Sequence, residues 1–157
     1  MYVKRLVQGA LIAAIYAALT LLLAPISYGL MQIRVSEALC VLPLFTPAAV
    51  PGLFVGCLLA NIIGGMGIYD VVIGSLATLV AAVLTLLLKK RSPWLAPLPT
   101  IIVNAFAVGA MLCYLVGVGE SFLVCALYVG AGELIACYVL GMPLYYGLKK
   151  LDPEVFN

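Results

Sequence analysis

The spacing of the charges constrains this chain more than any other feature. Seven of its eight basic residues fall in three tight clusters: Lys4 with Arg5, Lys89 with Lys90 and Arg91, and Lys149 with Lys150. The stretches between the clusters are almost wholly apolar. Residues 6–24, 71–88, 98–118 and 121–148 are each long enough to cross a hydrocarbon core, which takes about 20 apolar residues. Of the 157 residues 66% are hydrophobic and only 9% charged, where a soluble domain carries roughly a quarter charged. The composition is that of an integral membrane protein, with residues 1–157 read as one transmembrane domain. The net charge of +2 comes from the anchoring clusters, so nothing points to a nucleic-acid surface. The first apolar run exceeds a signal peptide's hydrophobic region of about 7–15 residues, and no small-x-small cleavage site follows it. It reads as a retained helix.

Segment 37–63 is ambiguous by hydropathy alone. Pro47 and Pro51, four residues apart, each restrict the residue before them and favour a break within Thr46-Pro-Ala-Ala-Val-Pro-Gly52. Charge parity decides between one helix and two. Cytoplasmic loops near helix ends are enriched in Lys and Arg. With two short helices in the middle, all three clusters fall on one side; with one, the later two fall on the other. The expected fold is therefore an all-α membrane protein, a bundle of six transmembrane helices with both termini cytoplasmic. Trp94, in the cytoplasmic loop, and Tyr2, Tyr145 and Tyr146 suit the membrane interface.

This topology puts residues 25–33, 64–69 and 116–120 outside. Arg34 then stands alone as the basic residue of the outer face, with Glu37, Asn61, Asp70 and Glu120 near it in depth. An i, i+3 salt bridge between Arg34 and Glu37 is one expectation, and a ligand contact is the other. Asp70, in a first helical turn, complements the helix dipole or faces a ligand; Glu120 reads as a loop charge before the last helix. Glu133 lies well inside the last apolar segment, between Gly132 and Leu134. A charge at that depth costs about 2.5–3.5 kcal/mol on insertion scales and usually faces a cavity or a partner. Asn104 lies thirteen residues before Gly117, and Glu133 thirteen after Glu120. At about 1.5 Å per residue the two sit at one depth on antiparallel helices and can meet. Tyr28, Tyr69 and Tyr128 are the tyrosines placed to line an outer cavity. On the first helix Ala10, Ala14 and Ala18 form a small-xxx-small face that permits close helix contact, inside the bundle or with another protein.

The five cysteines are scattered, none in a Cys-x-x-Cys pair, and the chain contains no His. They read as packing residues rather than a metal site. No nucleophile elbow, phosphate loop or helical acidic pair is present, so an enzyme is not expected.

Five stretches carry a resemblance: Gln32-Ile-Arg-Val-Ser-Glu-Ala-Leu39, Leu42-Pro-Leu-Phe-Thr-Pro-Ala-Ala-Val-Pro-Gly-Leu53, Gly56-Cys-Leu-Leu-Ala-Asn61, Gly74-Ser-Leu-Ala-Thr78 and Gly132-Glu133. Together, from about Leu6 to Leu151, they resemble the QueT family, predicted queuosine-precursor transporters of the energy-coupling-factor type. The resemblance implies a six-helix substrate-capture subunit in the cell membrane. It implies partners outside this chain: a transmembrane coupling subunit and two cytoplasmic ATPases, so that ATP is used by the partners and the chain carries no cofactor. In such subunits an Ala-x-x-x-Ala face on the first helix docks onto the coupling subunit, and Ala14 and Ala18 match it, with Ala10 one turn earlier. The implied substrate is queuine or a related 7-deazaguanine. Its N1–H and exocyclic amine suit a carboxylate, for which Glu37 and Glu133 are candidates. Asn104 or Asn61 can donate to the ring carbonyl, a tyrosine such as Tyr128 or the Arg34 plane can stack on the base, and Asp70 can pair with an aminomethyl cation. The alternatives are a capture subunit for another vitamin-like solute and a stand-alone secondary transporter.

Overall fold

The computed structural model describes residues 2–28 and 33–151, with the side chain of Tyr2 and the motif residue Gln32 outside what is described. Among the described residues every regular element is helical. Helix α1 (Tyr2–Leu22) runs into a short helix α2 (Ala24–Ser27). A 3-10 helix (Val35–Leu44) follows, then α3 (Ala49–Ile63). A π turn (Asp70–Gly74) opens α4 (Ser75–Leu87), and a 3-10 turn (Pro93–Leu95) precedes α5 (Pro97–Ala110), which continues as a π segment (Met111–Val116). Helix α6 (Phe122–Leu134) passes through a third π segment (Ile135–Leu140) into α7 (Gly141–Leu148).

Counted as continuous rods, Val3–Leu22, Asp70–Lys90, Pro93–Val116 and Phe122–Leu148 are long and apolar enough to cross a membrane, while Val35–Leu44 and Ala49–Ile63 are shorter apolar helices. The expected break in the middle segment is present. Thr46 sits in it, its hydroxyl accepting from the Ala48 amide at 3.3 Å and donating to Gln8 Oε1 at 3.1 Å. At about 2.0 Å per residue the ten-residue 3-10 helix covers roughly 20 Å. It lies in the middle of the molecule, with Ser36 through Pro43 all buried.

Helix α1 shows how the sequence chooses its faces. Gly9, Ile12, Ala13, Tyr16, Ala17 and Thr20 are buried, whereas Val7, Ala10, Leu11, Ala14, Ile15 and Ala18 are exposed. The buried stripe packs on α3 at two glycines. A Cβ at Gly52 would lie 2.8 Å from the Gly9 carbonyl oxygen, and one at Gly56 would lie 2.7 Å from Tyr16 Cβ. The close contact inside the bundle therefore uses Gly9 and Ala13 against Gly52 and Gly56. Ala10, Ala14 and Ala18 face outward.

Most of the outer surface is apolar, from Leu6 and Leu22 to Leu87, Phe106 and Leu127, as helices in hydrocarbon require. Gly117 ends the α5 rod in the left-handed region at φ +71°, its amide bonding back to Leu112 O at 3.0 Å, and Ser121 caps α6 by accepting from the Val124 amide. Between α4 and α5, Thr85 donates to Ala96 O at 3.0 Å, and Trp94 stacks with Tyr138, whose hydroxyl donates to Trp94 O.

Candidate functional site

Inside the bundle lie six polar side chains that the sequence singles out, each at most 6% exposed: Arg34, Glu37, Asn61, Asp70, Asn104 and Glu133. A buried charge is tolerated only when paired or hydrogen-bonded, and these are arranged in two groups.

The first group joins the 3-10 helix to α1, α5 and α6. Tyr16 donates its hydroxyl to Glu37 Oε1 in a short bond. One turn along α1, Thr20 donates to the Tyr16 carbonyl at 2.9 Å, and its hydroxyl meets that of Ser36 at 2.6 Å. Asn104 Nδ2 donates to Glu133 Oε1 at 2.8 Å. The Cys137 thiol lies between the two carboxylate-bearing residues, 3.6 Å from the Glu37 carbonyl and 3.6 Å from Glu133 Oε2. Glu37 and Glu133 are thus held in apolar surroundings by neutral donors.

The second group lies where α3 meets the π turn before α4. Arg34 Nη2 is 3.9 Å from Asp70 Oδ1, and Nη1 reaches Cys57 Sγ at 3.7 Å. Asn61 Nδ2 donates to the Asp70 carbonyl at 2.9 Å and to Cys57 Sγ at 3.6 Å. The Arg34 guanidinium stands 5.7 Å from the centre of the Tyr28 ring, within cation–π range, and Tyr28 is fixed by its bond to Ala60 O at 2.7 Å. Two of the three π segments, a form frequent at functional sites, lie at these residues: Asp70 opens one and Glu133 stands two residues before another.

Several expectations change. Arg34 pairs with Asp70 rather than Glu37. It occupies the extended N-cap position of the 3-10 helix (φ −87°, ψ 102°), so its side chain does not share a helical face with Glu37. Asn61 does not offer its amide nitrogen to a ligand, since a backbone carbonyl and a thiol sulfur already take it. Tyr128 is 41% exposed, because the turn of α6 that buries Cys125 and Val129 carries it outward. Glu120 lies in the exposed loop before Ser121. Tyr16, the aromatic that does reach a carboxylate, was not singled out by sequence; its signal was the 16/20 spacing with Thr20 on the stripe that α1 buries. The meeting of Asn104 and Glu133 follows the antiparallel depth count.

A helical bundle with an apolar exterior, several rods of membrane-crossing length and two buried polar groups defines a multi-pass membrane protein with an interior polar site. The profile of the QueT transporter family matches residues 6–150, and the chain belongs to that family. It is also 38% identical over 88 residues to the queuosine precursor transporter QueT of Lactococcus lactis subsp. cremoris (strain MG1363), an alignment covering 55% of this chain. That alignment spans about half the length of the relative, 52%. No solved structure matches the chain.

Proposed function

We propose that this chain is the membrane-embedded capture subunit of an ATP-driven energy-coupling-factor importer, taking a queuosine precursor, queuine or a related 7-deazaguanine, from the outer face of the cell membrane. In this reading the four long rods and the two shorter apolar helices make six crossings. Both termini and the Lys89 to Arg91 turn then lie in the cytoplasm, as the positive-inside rule asks. A coupling subunit docks on the outward Ala10, Ala14 and Ala18 face, and two cytoplasmic ATPases hydrolyse ATP. The site is alternately open to the outside and emptied inward as the partners act.

The observation that carries the reading is the pair of buried carboxylates, Glu37 and Glu133, each oriented by a neutral donor. A carboxylate in that setting is a strong acceptor for the amine N–H groups of a guanine-like base. Asp70 balances Arg34, and in this reading it also pairs with the aminomethyl cation of a precursor that carries one. The family supplies the solute class; the buried carboxylates supply the chemistry for it.

The test is thermal stabilisation of the purified subunit by queuine, its precursors, guanine and common vitamins. A ligand at 100 times its dissociation constant adds about 2.7 kcal/mol, and Glu37→Gln and Glu133→Gln should each abolish most of that gain. A flat response to every 7-deazaguanine rejects the substrate, and stabilisation by an unrelated vitamin reassigns it. Copurification with an ATPase module separates a capture subunit from a stand-alone secondary transporter.

A further inference from the structure

The orphaned polar atoms of the bundle are unevenly placed. Among the described residues, the buried side-chain atoms without a hydrogen-bond partner are Ser27 Oγ, Arg34 Nε and Nη2, Asn61 Oδ1 and Ser75 Oγ. The Glu133 carboxylate, by contrast, has a donor at each oxygen. A buried donor or acceptor left unpaired is costly, and native interiors retain few. Arg34, 3% exposed, and Asn61, fully buried, are neighbours: each reaches Cys57 Sγ, and each flanks Gly74. A Cβ at Gly74 would lie 3.2 Å from Asn61 Nδ2 and 4.0 Å from Arg34 Nη1.

Their remaining bonds fix which atoms are free. The Asp70 carbonyl can only accept, so the Asn61 amide must turn its nitrogen there and leave Oδ1 unpaired. Arg34 spends Nη1 on Cys57, and its Nε–Nη2 edge, the side of the guanidinium that grips oxygen with two parallel N–H groups, makes no hydrogen bond, Nη2 standing 3.9 Å from Asp70 Oδ1 in the ion pair alone. Its charge already has a counter-ion in Asp70 at 3.9 Å, and two further carboxylates are buried in the same bundle. An anionic ligand is therefore disfavoured at this edge, and a neutral carbonyl oxygen suits it. Two donors and one acceptor left free on neighbouring side chains are the hydrogen-bond complement of a cyclic lactam, which presents a carbonyl oxygen next to an N–H.

We propose that Arg34 and Asn61 form the subsite that reads the lactam edge of the ligand ring. Arg34 donates through Nε and Nη2 to the ring carbonyl, and Asn61 Oδ1 accepts the adjacent ring N–H. The carboxylates are left for the amine groups of the ligand. Arg34 is then a binding residue, and the subsite is specific by hydrogen-bond sense. A ring with an amino group in place of the carbonyl sets donor against donor and acceptor against acceptor, a mismatch that binding sites reject strongly. This inference rests on the base-capture reading above.

The test compares 7-aminomethyl-7-deazaguanine with its 6-amino counterpart, 7-aminomethyl-7-deaza-2,6-diaminopurine, on the purified full chain in nanodiscs. The natural sequence should prefer the lactam by at least about 100-fold. Arg34→Lys, which keeps the charge opposite Asp70 but loses the two-pronged edge, and Asn61→Leu should each bring that ratio below about 10-fold, mainly by weakening the lactam ligand. A purely structural role would weaken both ligands alike and leave the ratio intact. An unchanged ratio in Arg34→Lys with a normal unfolding profile overturns the inference while leaving base capture standing, and that variant decides the matter if Asn61→Leu does not fold. Failure of the natural sequence to bind either base overturns the capture reading itself, and this subsite with it.

Discussion

Replacing Gly56 by alanine puts a methyl group between α1 and α3 where the structure has no room for one. The new carbon would stand 2.7 Å from Tyr16 Cβ, 2.9 Å from the Ala13 carbonyl oxygen and 3.1 Å from Ala13 Cα. Carbon contacts settle near about 3.5–4.0 Å. Two of those three neighbours are backbone, so no rotamer change relieves the clash and the helices must separate. Overpacking of this kind costs about 1–3 kcal/mol, against about 0.5–1 kcal/mol that alanine gains over glycine within a helix. The net expectation is a loss of up to about 2.5 kcal/mol. Gly130 on α6 is the matched control. A Cβ there would meet Ala105 Cβ at 3.4 Å, an ordinary contact, so Gly130→Ala keeps the helical gain and rises by up to about 1 kcal/mol. At about 2–4 °C per kcal/mol for a chain of this size, the two variants should unfold several degrees apart in a side-by-side thermal melt. Because Tyr16 is the nearest neighbour of the added carbon, Gly56→Ala should also move the phenol off Glu37 and weaken ligand binding. Equal midpoints for the two variants, or Gly56→Ala above Gly130→Ala, would refute the close helix approach on which the Tyr16–Glu37 contact depends.

Other consequences are equally direct. Asn104→Leu removes the 2.8 Å donor from buried Glu133 and should lower stability by about 1–3 kcal/mol; a double-mutant cycle with Glu133→Gln should show coupling above about 0.5 kcal/mol, and additivity would dissolve the pair. Tyr16→Phe keeps the ring but loses the donor to Glu37, and denaturant unfolding should register about 1.5–3 kcal/mol for that charge-assisted bond. Ala14→Leu with Ala18→Leu changes an outward face, so the subunit's own stability should stay within about 0.5 kcal/mol while copurification with the coupling subunit is lost; an intact complex would remove the docking role. In a cysteine-free background, an impermeant thiol reagent applied to intact cells should label Glu120→Cys and spare Ser92→Cys, and the reverse pattern would invert the proposed topology.

How much of the site was legible in the sequence depended on how far each contact lies from simple helical counting. Asn104 and Glu133 meet because two antiparallel rods flank one short loop, and residues equidistant from it share a depth. Arg34 resisted the same counting. The spacing to Glu37 suggested a helical pair, but the segment is a 3-10 helix that starts one residue later, and the partner turned out to be Asp70 on a distant turn. Tyr128 differs by a helical phase, its side chain 41% exposed where Cys125 and Val129 are buried, and nothing local marks the buried Tyr16 as facing a carboxylate.

A helical membrane protein that breaks in its middle segment and carries Asn104 and Glu133 at one depth inside it can be read from the chain alone. Those features follow from hydropathy, proline stereochemistry and the cost of charge in hydrocarbon, all of which act locally along the chain. Packing settles which partner each buried polar group takes and which small-residue face α1 turns inward. These depend on the rotation of each helix about its axis, and one π turn or a 3-10 stretch shifts that rotation by a large fraction of a turn. Local hydropathy is nearly blind to such shifts. A carboxylate inside the bundle is not, because its stability depends on whether a donor such as Tyr16 or Asn104 is turned toward it.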